Sequence, residues 1–153
     1  MKIEDAIHST FSSPQLKAIV NIRYTSNFLG HYQNSFMVQY DLSMPQFNIL
    51  RILRGAKGDI NVNKVKERMI EKSPNTTRLM DKLIDKGLIE RTRCAEDRRV
   101  VYVKITRHGL DLLSDIDNHM DVNTLIKAEL TDEEANQLSG LLDKVREKYE
   151  GTR

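Results

Sequence analysis

The sequence contains no tryptophan, a single cysteine and only three prolines among its 153 residues. With Cys94 alone, no intramolecular disulfide and no cysteine-based metal cluster can form, and this composition suits a reducing compartment. No apolar run approaches the roughly 20 residues that a membrane-spanning helix needs. The opening residues, MKIEDAIHSTFSS, also lack the basic start and apolar stretch of a signal peptide. We therefore expect a cytoplasmic protein.

Motifs of catalysis and metal binding are also missing. There is no glycine-rich phosphate-binding loop and no nucleophile motif. The four histidines are scattered and do not form a zinc-binding spacing such as His-Glu-x-x-His; they are His8, His31, His108 and His119. We expect neither enzyme activity, nor a metal site, nor a cofactor.

Charge is distributed unevenly along a chain whose formal net charge is only +2. Residues 63–107 hold 13 Lys and Arg against 7 Asp and Glu, whereas residues 108–153 hold 5 against 11. A basic block inside a nearly neutral protein indicates a polyanionic partner for that segment. The alternative is a solvated basic surface without a partner.

Apolar residues recur at intervals of three and four, which predicts six helices. These lie at about residues 14–39, from Ser43 to a stop at Gly55, from Asn61 or Asn63 onward, from Ser73 to Gly87, from Thr106 to about residue 127, and from Thr131 onward.

Short local patterns predict how several of these helices begin. Ser43 with Gln46 and Thr131 with Glu134 have the spacing of a capping box. Pro14 and Pro74 suit the first turn of a helix. These signals place the helix starts more firmly than apolar spacing alone.

Two segments between the fourth and fifth helices have the alternating, β-branched pattern of strands. LIERTRC and VVYVKI flank the charged stretch AEDRR and predict a two-stranded hairpin with a polar tip. Only about three residues, EKS, separate the third helix from the fourth, which suits the tight turn of a helix-turn-helix. The predicted fold is mostly α with a small β-hairpin wing, a winged helix-turn-helix with long helices at both ends.

The helix predicted from Ser73 opens with short hydrogen-bonding side chains and one arginine: Ser73, Asn75, Thr76, Thr77 and Arg78. A helix fits the major groove of DNA, and its N-terminal residues usually contact base edges. We therefore expect these residues to read DNA. Ordinary helix capping is the alternative explanation of the same composition.

The tip of the predicted hairpin carries Asp97, Arg98 and Arg99. Arg98 can enter the minor groove, where the negative potential is strong, while Asp97 is expected to pair with Arg99 and stiffen the tip. A solvated turn is the alternative. The full set of predicted DNA-binding residues is Ser73, Asn75, Thr76, Thr77, Arg78, Lys82, Arg91, Arg93, Arg98 and Arg99, and Lys104 is expected to face phosphates as well.

Three segments together resemble the MarR family of bacterial regulators. They are LSMPQFNILRILRG, then SPNTTRLMDKLIDKGLIERTRCAEDRRVVYVKITRHGLDLL, and LTDEEANQLSGLLDKV. The similarity spans about residues 14–147 and is most specific in the wing, where Asp97 and Arg99 match the Asp-x-Arg pattern of the family.

This resemblance implies a homodimer in which two winged lobes bind a pseudo-palindromic operator, usually as a repressor. It implies one domain, residues 1–153, with dimerisation helices at 14–40 and 107–150 and a DNA-binding lobe at 43–106. It further implies a small-molecule effector that releases DNA. A pocket lined by Tyr24, Phe28, His31 and Tyr32 is one reading of the first helix; a core or dimer-interface stripe is the other.

Two further possibilities remain open from the sequence. The chain could be a winged-helix adaptor that binds proteins and not DNA, which a salt titration would separate from a phosphate-binding protein. Cys94 could sense oxidants, as cysteines do in some relatives, although those cysteines lie near the N-terminus.

Overall fold

The computed structural model describes residues 1–72, 74–97, 99–119 and 129–150, with side chains described to residue 147 in the last range. The helices are α1 (Ile3–Ile7), α2 (Pro14–Val38), α3 (Met44–Ala56), α4 (Val62–Arg68), α5 (Thr76–Asp85), α6 (Arg107–His119) and α7 (Asp132–Glu150). The strands are β1 (Ile60–Asn61), β2 (Ile89–Arg93) and β3 (Val101–Ile105). Within these ranges, no helix combines the length and apolar character needed to cross a membrane.

Backbone contacts divide the chain into two compact units, Met1–Ser114 and Asp115–Arg153. The first contains α1 to α5, the three strands and the beginning of α6. The second contains the end of α6 and α7. The predicted winged lobe, residues 43–106, therefore lies wholly within the first unit.

Helix α3 begins as its sequence predicts. The backbone N–H of Gln46 donates to the Ser43 hydroxyl, and the Gln46 side chain accepts from the Ser43 backbone at 3.0 Å, which completes the capping box. The predicted stop at Gly55 is wrong by one residue. The helix continues to Ala56, and Lys57 takes the left-handed conformation that ends it, with φ of 55°.

Helix α5 begins later than predicted. Its first helical hydrogen bond runs from the Leu79 N–H to the Asn75 carbonyl, so Asn75 holds the N-cap position and Pro74 lies in the preceding turn. The connection from the end of α4 at Arg68 is correspondingly longer than three residues. Ser73, the predicted start, lies outside the described residues.

Helix α5 ends at Asp85, and Gly87 takes the predicted C′ position after the Lys86 cap. This glycine has φ of 66°, its N–H donates to the Ile84 carbonyl, and the Leu88 N–H donates to the Leu83 carbonyl. These two bonds form a Schellman motif, in which buried Leu88 packs back on the last turn. The motif turns the chain directly into β2.

The strands form one antiparallel sheet in the order β1-β3-β2, with Val103 paired to Ile60 on one side and to Arg91 on the other. The predicted hairpin of β2 and β3 is confirmed. Strand β1 is an addition, because two residues are too short to show an alternating pattern in sequence. The helix α4 then starts at once, with the Asn61 side chain accepting from the Asn63 N–H at 2.8 Å.

The start of α6 is tied to the end of α5. The Thr106 hydroxyl donates to the Gly87 carbonyl at 2.7 Å and accepts from the Gly109 N–H at 3.0 Å. The Thr106 N–H also donates to the Leu88 carbonyl at 3.0 Å. Thr106 therefore caps α6 while holding it against the turn that follows α5.

The core of the first unit lies beneath these elements. Its buried apolar side chains include Met37 of α2, four residues of α3, Val65 of α4, Met80 and Leu83 of α5, and Ile89 and Val103 of the sheet; those of α3 are Phe47, Ile49, Leu50 and Leu53. This core holds α5 with its opposite face exposed to solvent.

Helix α7 begins with the second predicted capping box. The Thr131 backbone N–H donates to the Glu134 carboxylate at 2.8 Å, and the Glu134 N–H donates to the Thr131 hydroxyl at 3.3 Å. The hydrogen bonds from Thr131 lower the pKa of Glu134 below its ordinary value. Further along, α7 exposes apolar side chains at Leu138, Leu141 and Val145.

Candidate nucleic-acid interface

The exposed face of α5 begins with polar and basic side chains. Asn75, Thr77 and Arg78 are exposed, and Lys82 is exposed one turn after Arg78. Because residues three and four apart share a face of a helix, Asn75, Arg78 and Lys82 form one polar strip, and Thr77 is exposed beside it. The structure therefore brings these predicted DNA-binding residues together on one helix.

Thr76 does not belong to that strip. Its side chain is 1% exposed, and its hydroxyl donates to the sulfur of buried Met69 at 3.5 Å. The prediction that Thr76 contacts bases is therefore wrong for this structure, because its position on the inner face of the first turn points it into the core. The sequence could not distinguish it from its neighbour Thr77, since the exact start of the helix decides which threonine faces inward.

The tip of the β2–β3 hairpin is held by Asp97. Its carboxylate accepts from the Arg99 backbone N–H at 2.9 Å, and its carbonyl accepts from the Val100 N–H at 2.9 Å. Asp97 thus stiffens the tip, but through the backbone of Arg99 and not its guanidinium. Arg99 is exposed, whereas Arg98 lies outside the described residues.

Strand β2 carries two of the predicted cations. Arg93, at its end, is exposed. Arg91 donates to the Asp81 carboxylate of α5 at 3.0 Å, and Lys104 of β3 lies 3.3 Å from the Glu90 carboxylate. The ion pair between Arg91 and Asp81 brings the beginning of the wing beside the second turn of α5.

Several residues that the sequence prediction omitted contribute to this region. The Asn48 side chain, from α3, accepts the Ile70 backbone N–H at 3.0 Å and so holds the connection between α4 and α5. Exposed cations on α4 and after it extend the basic surface; they are Lys64, Lys66, Arg68 and Lys72. The excess of basic residues in the segment 63–107 could have indicated these cations, but no local sequence pattern indicates the role of Asn48.

A surface depression of about 440 Å³ lies where α2 meets α3 and the end of α5. Its lining residues are Val38, Asp41, Leu42, Ser43, Gln46, Lys82 and Lys86. Lys86 donates to the Asp41 carboxylate at 2.7 Å and to the Asp41 carbonyl. This hydrogen bond, reinforced by the charges of Lys86 and Lys82, lowers the pKa of Asp41.

The residues predicted for an effector pocket lie elsewhere on α2. Tyr24, Phe28, His31 and Tyr32 are all exposed in the single chain, and none of them lines the depression beside Lys86. They are therefore not core residues of this chain, and the other readings, a pocket or an interface with a second molecule, stay predictions.

Known proteins with similar sequence and structure agree with this architecture. The MarR family model matches residues 42–101, which include α3 to β2 and the wing tip. The chain is 27% identical over 132 residues to the HTH-type transcriptional regulator MhqR of Bacillus subtilis, covering 85% of this chain and 90% of MhqR.

Two solved structures extend the similarity over about nine-tenths of the chain. A MarR transcription factor from Planctomyces limnophilus is 31% identical with a TM-score of 0.66, covering 90% of this chain and 98% of that one. A mutant of MarR from E. coli, solved with operator DNA, is 24% identical with a TM-score of 0.73, covering 89% and 99%. The matching segment, the winged fold and these relatives, which are named as transcription regulators or factors and not as enzymes, place the chain in the MarR family.

Proposed function

We propose that this DNA-binding regulator of transcription acts as a homodimer on a pseudo-palindromic operator, as a repressor that a small-molecule effector releases. The observation that carries the proposal is the joining of two basic, exposed elements in one lobe: the polar strip of α5 and the arginine-bearing wing, linked by the Arg91–Asp81 ion pair. A helix beside a hairpin of this kind can occupy the major groove while the hairpin follows the backbone.

The proposed contacts divide by chemistry. Asn75, Thr77 and Arg78 are placed in the major groove, where an arginine can donate two hydrogen bonds to guanine and an asparagine can pair with adenine. Arg93 and Arg99 are placed on phosphates, which attract cations regardless of sequence. Ser73, Lys82 and Arg98 remain in the proposed site from the sequence, and Arg91 belongs to it through its ion pair with Asp81.

Support for DNA as the partner comes from the fold. The structure of E. coli MarR with operator DNA shares this fold across almost the whole chain. Exposed cations concentrated in one segment of a nearly neutral protein also favour a polyanion over an apolar protein partner. The adaptor hypothesis has no comparable observation behind it.

Exposed apolar side chains on two helices support the proposed dimer. On α2, Phe28 is 63% exposed, and Tyr24 and Tyr32, four residues before and after it on the same face, are also exposed; on α7, Leu138, Leu141 and Val145 are exposed together. Apolar side chains clustered on a helix face in this way mark interfaces. A two-fold dimer would set two α5 helices about 34 Å apart, one turn of DNA, which is why the proposed operator is an inverted repeat.

The test begins with selection of bound fragments from genomic DNA, followed by fluorescence anisotropy on the selected duplex at several salt concentrations. Arg99→Ala is expected to lower the slope of log K against log salt by about 1, with binding weakened on all sequences. Thr77→Val is expected to change sequence preference and leave the slope intact. Arg146→Ala, outside the winged lobe, is the matched control and should change neither.

Two results would contradict the proposal. Absence of salt-dependent binding to any duplex would favour the adaptor alternative. Sedimentation equilibrium showing a monomer at micromolar concentration, or a Leu141→Glu variant as fully dimeric as the parent, would contradict the dimer arrangement. For the effector, a ligand that raises the melting temperature and lowers operator affinity is the expected finding.

A further inference from the structure

An aspartate lies on the surface that we place against DNA. Asp81 follows Thr77 by four residues and Arg78 by three on α5, so it shares their face of the helix. A lone carboxylate there would be repelled by phosphates and would weaken DNA binding. In this structure its charge is balanced by Arg91 of β2, whose guanidinium nitrogen lies 3.0 Å from the carboxylate oxygen.

This pair joins the two elements of the proposed interface. Asp81 lies in the second turn of α5, and Arg91 lies at the middle of β2, directly opposite Val103 in the sheet. The turn at Gly87 and Leu88 already connects α5 to the wing, and the ion pair is a second, separate connection between them. Both side chains are about half exposed, at 48% and 44%, so the ion pair lies at the surface where DNA would approach.

We infer that Asp81 and Arg91 are positioning residues: their ion pair sets the angle of the wing relative to the recognition helix, and Arg91 does not itself bind phosphate. This inference rests on the proposed function and deepens it. It reverses the expected effect of removing the Asp81 charge on DNA affinity. If Arg91 bound phosphate, removing the negative charge of Asp81 would free it and strengthen DNA binding; if the pair positions the wing, the same change weakens binding.

The experiment measures operator affinity and its salt dependence for Asp81→Asn, Arg91→Gln and the double variant. Each single change is expected to weaken binding by about two- to fivefold, the range of an exposed ion pair. The double variant should be no weaker than either single one, since all three lose the same interaction. The salt slope should stay that of the parent in every case.

Two controls separate positioning from charge and from stability. Asp85→Asn removes a negative charge one turn further along α5 and should leave affinity unchanged or raise it. Melting temperatures of Asp81→Asn and Arg91→Gln should match the parent, while hydrogen exchange of the amides of β2 and β3 should be faster in both. That exchange measurement needs no DNA.

The possible outcomes are distinct. Tighter binding by Asp81→Asn, together with a slope lowered by about 1 in Arg91→Gln, would overturn the inference and leave the proposed function standing. Additive losses in the double variant would also overturn it. A parent protein that binds no duplex would overturn the proposed function and this inference with it.

Discussion

Replacing Gly109 with alanine should destabilise the winged lobe substantially. A Cβ atom at this position would lie 2.3 Å from the Leu88 carbonyl oxygen and 2.7 Å from Cγ1 of Ile105. The carbonyl cannot easily move, because it accepts the Thr106 N–H at 3.0 Å. Overpacking of this kind costs about 3 kcal/mol. Alanine recovers up to about 1 kcal/mol through its better helix propensity, which leaves a net loss of about 2 kcal/mol.

For a chain of this size, that loss corresponds to a melting temperature lower by about 4–8 °C. Circular dichroism during heating, at one fixed protein concentration, measures it. Gly55→Ala is the matched control, because Gly55 lies in α3 with no atom within 4 Å of the added methyl group. That variant should melt higher than the parent. A Gly109→Ala protein that melts at or above the parent temperature would refute the reasoning.

Three further substitutions test individual contacts. Ser43→Ala removes the capping box of α3 and should lower the free energy of unfolding by about 1 kcal/mol, measured by urea denaturation. Thr76→Val removes the buried hydrogen bond to the Met69 sulfur, a weak acceptor, and should cost about 0.5–1.5 kcal/mol in the same assay, with no change in DNA sequence preference. Glu134→Gln tests pH dependence: because the folded pKa of Glu134 is lowered, its stabilising effect is present above its ordinary pKa and is lost as the pH falls through the folded value. Parent and variant should therefore differ in melting temperature at neutral pH and converge in acid.

Helix ends that depend on local chemistry were predicted well from the sequence. The capping boxes at Ser43 and Thr131 and the glycine stop at Gly87 involve residues within a few positions of each other, so spacing alone reveals them. The hairpin was equally visible, since β-branched and aromatic residues flank a charged turn.

The predictions failed where distant parts of the chain decide the outcome. Thr76 is buried because packing against the core decides which side of the first turn of α5 faces inward. Helix α3 extends one residue past Gly55, and Lys57, in the left-handed conformation, ends it. The contact of Arg91 with Asp81, ten residues earlier in the chain, was not predicted. Such a pair has no helical or strand spacing that a sequence pattern could show.

The sheet order has a consequence for behaviour at high concentration. Strand β2 lies outside β3, so one side of its backbone is available to a strand of another molecule, the usual route to fibrils and swapped hairpins. This edge strand carries charges of both signs at Glu90, Arg91 and Arg93, and burying them in an intermolecular sheet would be costly. The same side chains that face outward on the wing therefore also protect the protein from self-association through it.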